Sequence, residues 1–243
     1  MNVGFLVFEI RRIVRARKFW ILAFVFPTLM YLMQANLFAD ALAARTAMPV
    51  DAYLMSNLAA FGALFVALNV GTRVAAERSS GWQRQLRLTP LSPLTYLTAK
   101  VITAMAIALA AIVAVSLCGA LVEGVRLDTG GWLRQVLGIW AGTLPFALLG
   151  ILIGQVSTAE NVQVLITGSH MLLGLLGGVL FPASAFPGWM AQVAKVLPSY
   201  WLGEIGHGAA GGGAGLAAAV LTAWTVALGA AVMLRYLRDT ARV

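Results

Sequence analysis

Six apolar stretches, at about 19–39, 52–76, 94–122, 132–156, 161–181 and 214–235, dictate what this chain can become. Each is long enough to cross the hydrocarbon core of a bilayer as a helix, which takes about 20 residues. No water in lipid can satisfy a bare backbone, so such stretches must be helical. A membrane barrel would instead show alternating segments of about ten residues. Only 11% of the 243 residues are charged and 60% are hydrophobic, against about 25% charged in a soluble domain. The expected fold is an all-α integral membrane protein with six transmembrane helices in one domain, residues 1–243.

Charge sets the orientation. Ahead of the first stretch, Val3, Leu6, Val7, Ile10, Ile13 and Val14 recur at helical spacing among Glu9, Arg11, Arg12, Arg15, Arg17 and Lys18. This predicts an amphipathic interfacial helix over 1–18, with a basic face suited to lipid headgroups. A signal peptide would place its few charges first and one short apolar run after them. With the N-terminus inside, 13 of the 17 Lys and Arg residues fall on the inner side. Arg45, Arg126, Arg134 and Lys195 fall outside. The positive-inside rule then puts both termini in the cytoplasm. The same rule accounts for the net charge of +8 without nucleic-acid binding. A lone cysteine, Cys118, excludes an intrachain disulfide and argues against a metal cluster.

The middles of the six stretches contain no Asp, Glu, Lys or Arg, and His170 is the one ionisable group at depth. Ion-coupled transporters keep such groups in the membrane to carry the coupling ion, so energy must enter this protein elsewhere. For His170, a neutral ring bonded to a neighbouring helix is favoured over a titrating one. Asn57, Phe61, Phe65 and Asn69 recur every four residues along the second stretch. Such a stripe of amides and rings would suit a path for large amphipathic molecules, with Gln34 and Asn36 nearby at the outer end and His170 added to it. Gly138/Gly142, Gly150/Gly154 and Gly174/Gly178 form pairs that let helix backbones approach closely, within the chain or between subunits.

The densest polar island is residues 77–93, on the inner side between the second and third stretches. Trp82 and Leu86 lie four apart among Gln83, Arg84 and Arg87, as in a short amphipathic helix. Ser92 and Pro93 fit an N-cap and first helical position. Charge alone would make a lipid anchor. Glu77, Gly81 and the brace from Thr89 to Pro93 go beyond that and favour a docking element. Glu77 and Arg78 are expected to pair with a partner or anchor the helix start, Gly81 to allow close backbone approach, and Pro90 and Pro93 to keep the element stiff. On the outer side, 182–213 is long for a loop. Trp189, Met190, Val193, Ala194 and Leu197 keep helical spacing between Pro187 and Pro198, which predicts one or two short re-entrant helices.

Glu77-Arg78, Gly81 and the run Leu86, Leu88, Pro90 and Pro93 resemble the cytosolic loop of type-2 ATP-binding-cassette exporter permeases, the group that includes drug-resistance and polysaccharide-export permeases. Phe181-Pro182, Phe186-Pro187 with Trp189, and Pro198 with Tyr200 resemble the second half of the same proteins, and the basic N-terminal helix matches as well. The resemblance implies a multi-pass permease of the bacterial cytoplasmic membrane that works as a homo- or heterodimer on separate nucleotide-binding ATPase subunits. It makes 77–93 the coupling element, including Trp82 and Arg84, and 182–213 an extracellular gate. ATP and Mg²⁺ would sit on the partner, and the cargo would be a small hydrophobic or amphipathic compound or, alternatively, a polysaccharide or lipid-linked molecule. Lys18, Lys100 and Lys195 follow Arg17, Ala99 and Ala194, so the chain has no Gly-Lys-Ser/Thr phosphate loop of its own. An intramembrane enzyme is disfavoured, because Ser169 and His170 are adjacent and point apart on a helix, with no second deep acid or histidine.

Overall fold

A computed structural model of the chain describes residues 21–43, 48–81, 93–183, 186–208 and 214–241. The expected interfacial helix over 1–18 lies outside them. A π-helical turn, Ile21–Val25, leads into α1, Phe26–Ala43. Then follow α2 (Val50–Ser79), α3 (Pro93–Leu121), α4 (Thr129–Gly142), α5 (Leu144–Val156), α6 (Val162–Leu176), α7 (Gly188–Val196), α8 (Pro198–His207) and α9 (Ala214–Ala241). No strand occurs among the described residues.

The centre of the bundle is α2. Of its most apolar stretch 94% is buried, against 22% for α9, so α2 is a post ringed by α1, α3, α5 and α6. At 30 residues it is about 45 Å long, more than the roughly 30 Å hydrocarbon core. It begins after Pro49 with Asp51 in its first turn and ends at Ser80 and Gly81. Gly81 has φ 71°, the left-handed conformation that stops a helix and that glycine adopts without strain.

Among the described residues four helical units are long and apolar enough to cross a membrane: Val50–Ser79, Leu94–Leu121, Thr129–Val156 and Ala214–Arg238. The third combines α4 and α5. They meet at Thr143, where Pro145 has no amide hydrogen to donate. The stretches expected as first and fifth spans form shorter apolar helices, Ala23–Leu37 and Val162–Leu176. In the fifth, Gly177 closes α6 and Gly178, with φ 74°, turns the chain away. Exposed Leu117, Val164, Leu172, Val226 and Leu234 give the outside an apolar surface.

All three glycine pairs are spent on packing within the chain. A β-carbon on Gly150 would stand 2.5 Å from the Leu68 carbonyl oxygen, and one on Gly154 would collide with Gly71, so α2 and α5 cross backbone to backbone. Gly174 lies under the Phe61 ring, and Gly138 and Gly142 face Ile205 and Leu202 of α8.

Candidate functional site

Segment 82–92, with Trp82, Arg84, Leu86, Leu88 and Pro90, lies outside the described residues. Its two roots are described. Ser80 and Gly81 end α2, and Pro93 opens α3. Among the described residues nothing comes within 4 Å of a β-carbon placed on Gly81. Its positive φ of 71° favours glycine there.

At these roots Glu77 turns inward. Its Oε1 lies 2.5 Å from Lys100 Nζ, and Tyr96 donates its hydroxyl to Oε2 at 2.7 Å. Lys100 also stands 5.3 Å over the Tyr96 ring. Tyr96 and Lys100 are four apart on α3, so one helix face presents both donors. Lys100 is 0% and Glu77 3% exposed. The carboxylate therefore faces α3 inside the bundle, tying the end of α2 to the first turns of α3. Charges at that depth are tolerated only when paired and hydrogen-bonded. Tyr96 and Lys100 were not among the expected site residues, since Lys100 passed as one more inner charge. The usable signal was that Glu77 is the sole acidic residue from 52 to 122, so any buried cation nearby had to meet it.

Arg78 points to another helix. Its guanidinium donates to the carbonyl oxygens of Gly154 at 3.1 Å, Gln155 and Ser157 at 3.4 Å. These are carbonyls at the end of α5, where the helix dipole favours a cation. Gln155 Nε2 in turn donates to the Val232 carbonyl of α9 at 3.3 Å.

The residues expected along a substrate path form a packed seam. Phe61 and Phe65 flank His170 of α6, with ring centroids 4.2 and 5.3 Å away. His170 Nε2 donates to the Phe61 carbonyl oxygen at 3.1 Å. Gln34 donates to the Leu180 carbonyl at 3.2 Å, and Asn69 to that of Phe65 at 2.8 Å. Asn57 is 1% exposed and lies against Gly203 of α8. In this structure the stripe joins α2 to α6 and α8.

On the opposite end of α2, the expected short helices are present as α7 and α8. Phe181 is half-exposed, Pro182 buried and Trp189 70% exposed. Phe186 donates its amide to Ala183, and Pro187 precedes α7. Pro198 sits in the first turn of α8, where its missing amide hydrogen costs nothing. Tyr200 meets Trp201 edge to face at 5.2 Å, and Trp201 Nε1 donates to the Lys195 carbonyl at 2.8 Å. Burial, then Glu204, pushes the Tyr200 hydroxyl pKa up. The end of α8 fits onto α2 and α4: Gly206 lies between Ile139 and Ser56, and His207 stacks on Tyr53 at 4.1 Å with its Nδ1 3.6 Å from Glu204. Among the described residues, the buried amide of Gln135 on α4 and His207 Nε2 have no hydrogen-bond partner. The Tyr53 hydroxyl stands beside Asn57. Among the described residues no three His, Cys, Asp or Glu side chains gather as metal ligands.

The profile of the family described as "ABC-2 family transporter protein" matches residues 46–234. A protein of Bacillus subtilis (strain 168), "Putative transport permease YvfS", is 30% identical over 197 residues, covering 81% of this chain and 80% of that protein.

Proposed function

This chain belongs to the ABC-2 family of transporter proteins, and we propose that it is the permease subunit of an ATP-binding-cassette exporter in a bacterial cytoplasmic membrane. Its cargo in this reading is a small hydrophobic or amphipathic compound of the drug or antibiotic kind. A separate ATPase subunit binds ATP and Mg²⁺ and docks on 77–93. A second permease chain, identical or sibling, completes the path. All six apolar helices cross the membrane, both termini lie inside, and α7 and α8 dip into the outer leaflet as the external gate.

The observation that carries this reading is the position of the two roots of segment 80–92, Ser80 and Gly81 at the end of α2 and Pro93 at the start of α3. The segment links α2 and α3 at the end opposite the α8 cap, and the chain has no phosphate loop of its own. Work done by a partner at one end of the central post must therefore be felt at the other. The packed seam of Gln34, Asn57, Phe61, Phe65, Asn69 and His170 parts in the conformation that admits cargo, which a ligand favours only by binding that state more tightly.

The test is reconstitution in liposomes with an ATP-binding-cassette ATPase from the same operon or organism as the candidate partner. ATP hydrolysis is expected only with the partner present, to be stimulated by amphipathic compounds, and to accompany their ATP-dependent movement. Stimulation by lipid-linked oligosaccharides alone would move the cargo to that class. Hydrolysis by the chain alone, or absence of any association with the ATPase, would refute the reading.

A further inference from the structure

Glu77 and Arg78 open the segment assigned above to docking, yet both head groups turn into the bundle. Glu77 is held by Lys100 at 2.5 Å and Tyr96 at 2.7 Å, on α3. Arg78 is held by carbonyls of Gly154, Gln155 and Ser157, at the end of α5. We infer that Glu77, Arg78, Tyr96 and Lys100 form a harness that carries displacement of segment 80–92 into α3 and α5, with Tyr96 and Lys100 acting as positioning residues for coupling and not as contacts to the ATPase. The inference rests on the permease reading above.

A buried ion pair is a poor device for stability, because apolar residues of similar volume do as well or better. What it supplies is register. Apolar helix faces can slide by part of a turn and repack, whereas a carboxylate between two directed donors cannot leave them without stranding buried charge. The planar guanidinium of Arg78 applies the same constraint toward α5, and Gln155 passes it to α9 through the Val232 carbonyl. The end of α2, the start of α3 and the end of α5 therefore move as one piece. Gly81, with φ 71°, ends α2 and marks where the harness ends and the docking segment begins.

The test uses the complex with its ATPase in proteoliposomes and a readout that needs no known cargo. In a Cys118→Ala background, Ser56→Cys and Gly206→Cys report the seating of α8 on α2 through their rate of disulfide formation. A non-hydrolysable ATP analogue should change that rate. In the neutral pair Glu77→Gln/Lys100→Met the response should fall about tenfold, the effect of losing a charge-assisted hydrogen bond, while ATPase co-purification and melting temperature hold. Tyr96→Phe, which removes one hydroxyl, should give a smaller loss in the same direction. Reversal by Glu77→Lys should abolish the response, and Glu77→Lys/Lys100→Glu should restore part of it. A full response in the neutral pair, or a native chain whose cap ignores the nucleotide, overturns the inference. Loss of the ATPase from the neutral pair assigns these charges to docking and overturns it too. A native chain that retains no ATPase refutes the permease reading itself.

Discussion

A β-carbon on Gly206 of α8 would stand 3.5 Å from that of Ser56 on α2. That separation lies within the range spanned by disulfides, about 3.5–4.5 Å between β-carbons. Gly206 thus joins Gly203, which meets Asn57, and His207, which stacks on Tyr53, in seating α8 against the central helix. With Cys118 replaced by alanine, the pair Ser56→Cys/Gly206→Cys should close on mild oxidation. Transport in proteoliposomes should stop when it closes and return with reductant. Undiminished transport by the cross-linked protein would mean that α8 need not move.

Gln135 of α4, the helix that meets α8 through Gly138 and Gly142, is buried with an amide that makes no hydrogen bond among the described residues. A buried, unpaired polar group costs about 1–3 kcal/mol. Gln135→Met, close in volume, should remove the penalty. For a protein of this size, 1 kcal/mol corresponds to about 2–4 °C in melting temperature. The variant should melt a few degrees higher. A lower melting temperature would show that the amide finds a partner in the membrane.

The crossing of α2 and α5 should tolerate least. Gly150 sits where a β-carbon would overlap the carbonyls of Leu68 and Ala67, and backbone cannot yield as a side-chain tip does. Gly150→Ala should cost about 1–3 kcal/mol, the usual penalty for overpacking, and Gly150→Leu should abolish folded protein on size-exclusion chromatography. Gly168→Ala is the control, since nothing lies within 4 Å of its added carbon. Equal yields of the Gly150 and Gly168 variants would refute the close crossing.

What could be read in advance was whatever is local. Long apolar runs mark α2, α3, α4 with α5, and α9 because helix length and hydropathy are properties of one segment. Pro187 and Pro198 likewise announced α7 and α8. Partners across the bundle were not legible. Lys100 counted only as one of the inner basic residues, because its partner Glu77 lies 23 residues away. The Asn57 to Asn69 stripe gave no hint of what it meets, which includes Gly174 of α6 against Phe61 and Gly203 of α8 against Asn57. Spacing on one helix cannot reveal glycines on two others. The fifth stretch ended five residues early because Gly177 and Gly178 break α6 while leaving its hydropathy high.

The burial of Lys100 bears on topology, since a lysine sealed against Glu77 is no longer a loop charge. Thirteen inner basic residues less Lys100 leave 12 against 4 outside, so the bias that fixes orientation survives. Its weight lies in the N-terminal cluster from Arg11 to Lys18 and in Arg84 and Arg87, close to membrane ends where such charges count most. Lys195 lies in α7, beside the half-exposed Val193 and the exposed Val196, and Arg126 is exposed between α3 and α4. In a Cys118→Ala background, cysteines at Arg126 and Lys195 should react with an impermeant maleimide on intact cells, and one at Arg84 only after lysis. The Arg84 site decides the matter, because the segment around it must face the compartment that holds ATP. Labelling of Arg84→Cys on intact cells would invert the protein and end the permease reading built on that segment.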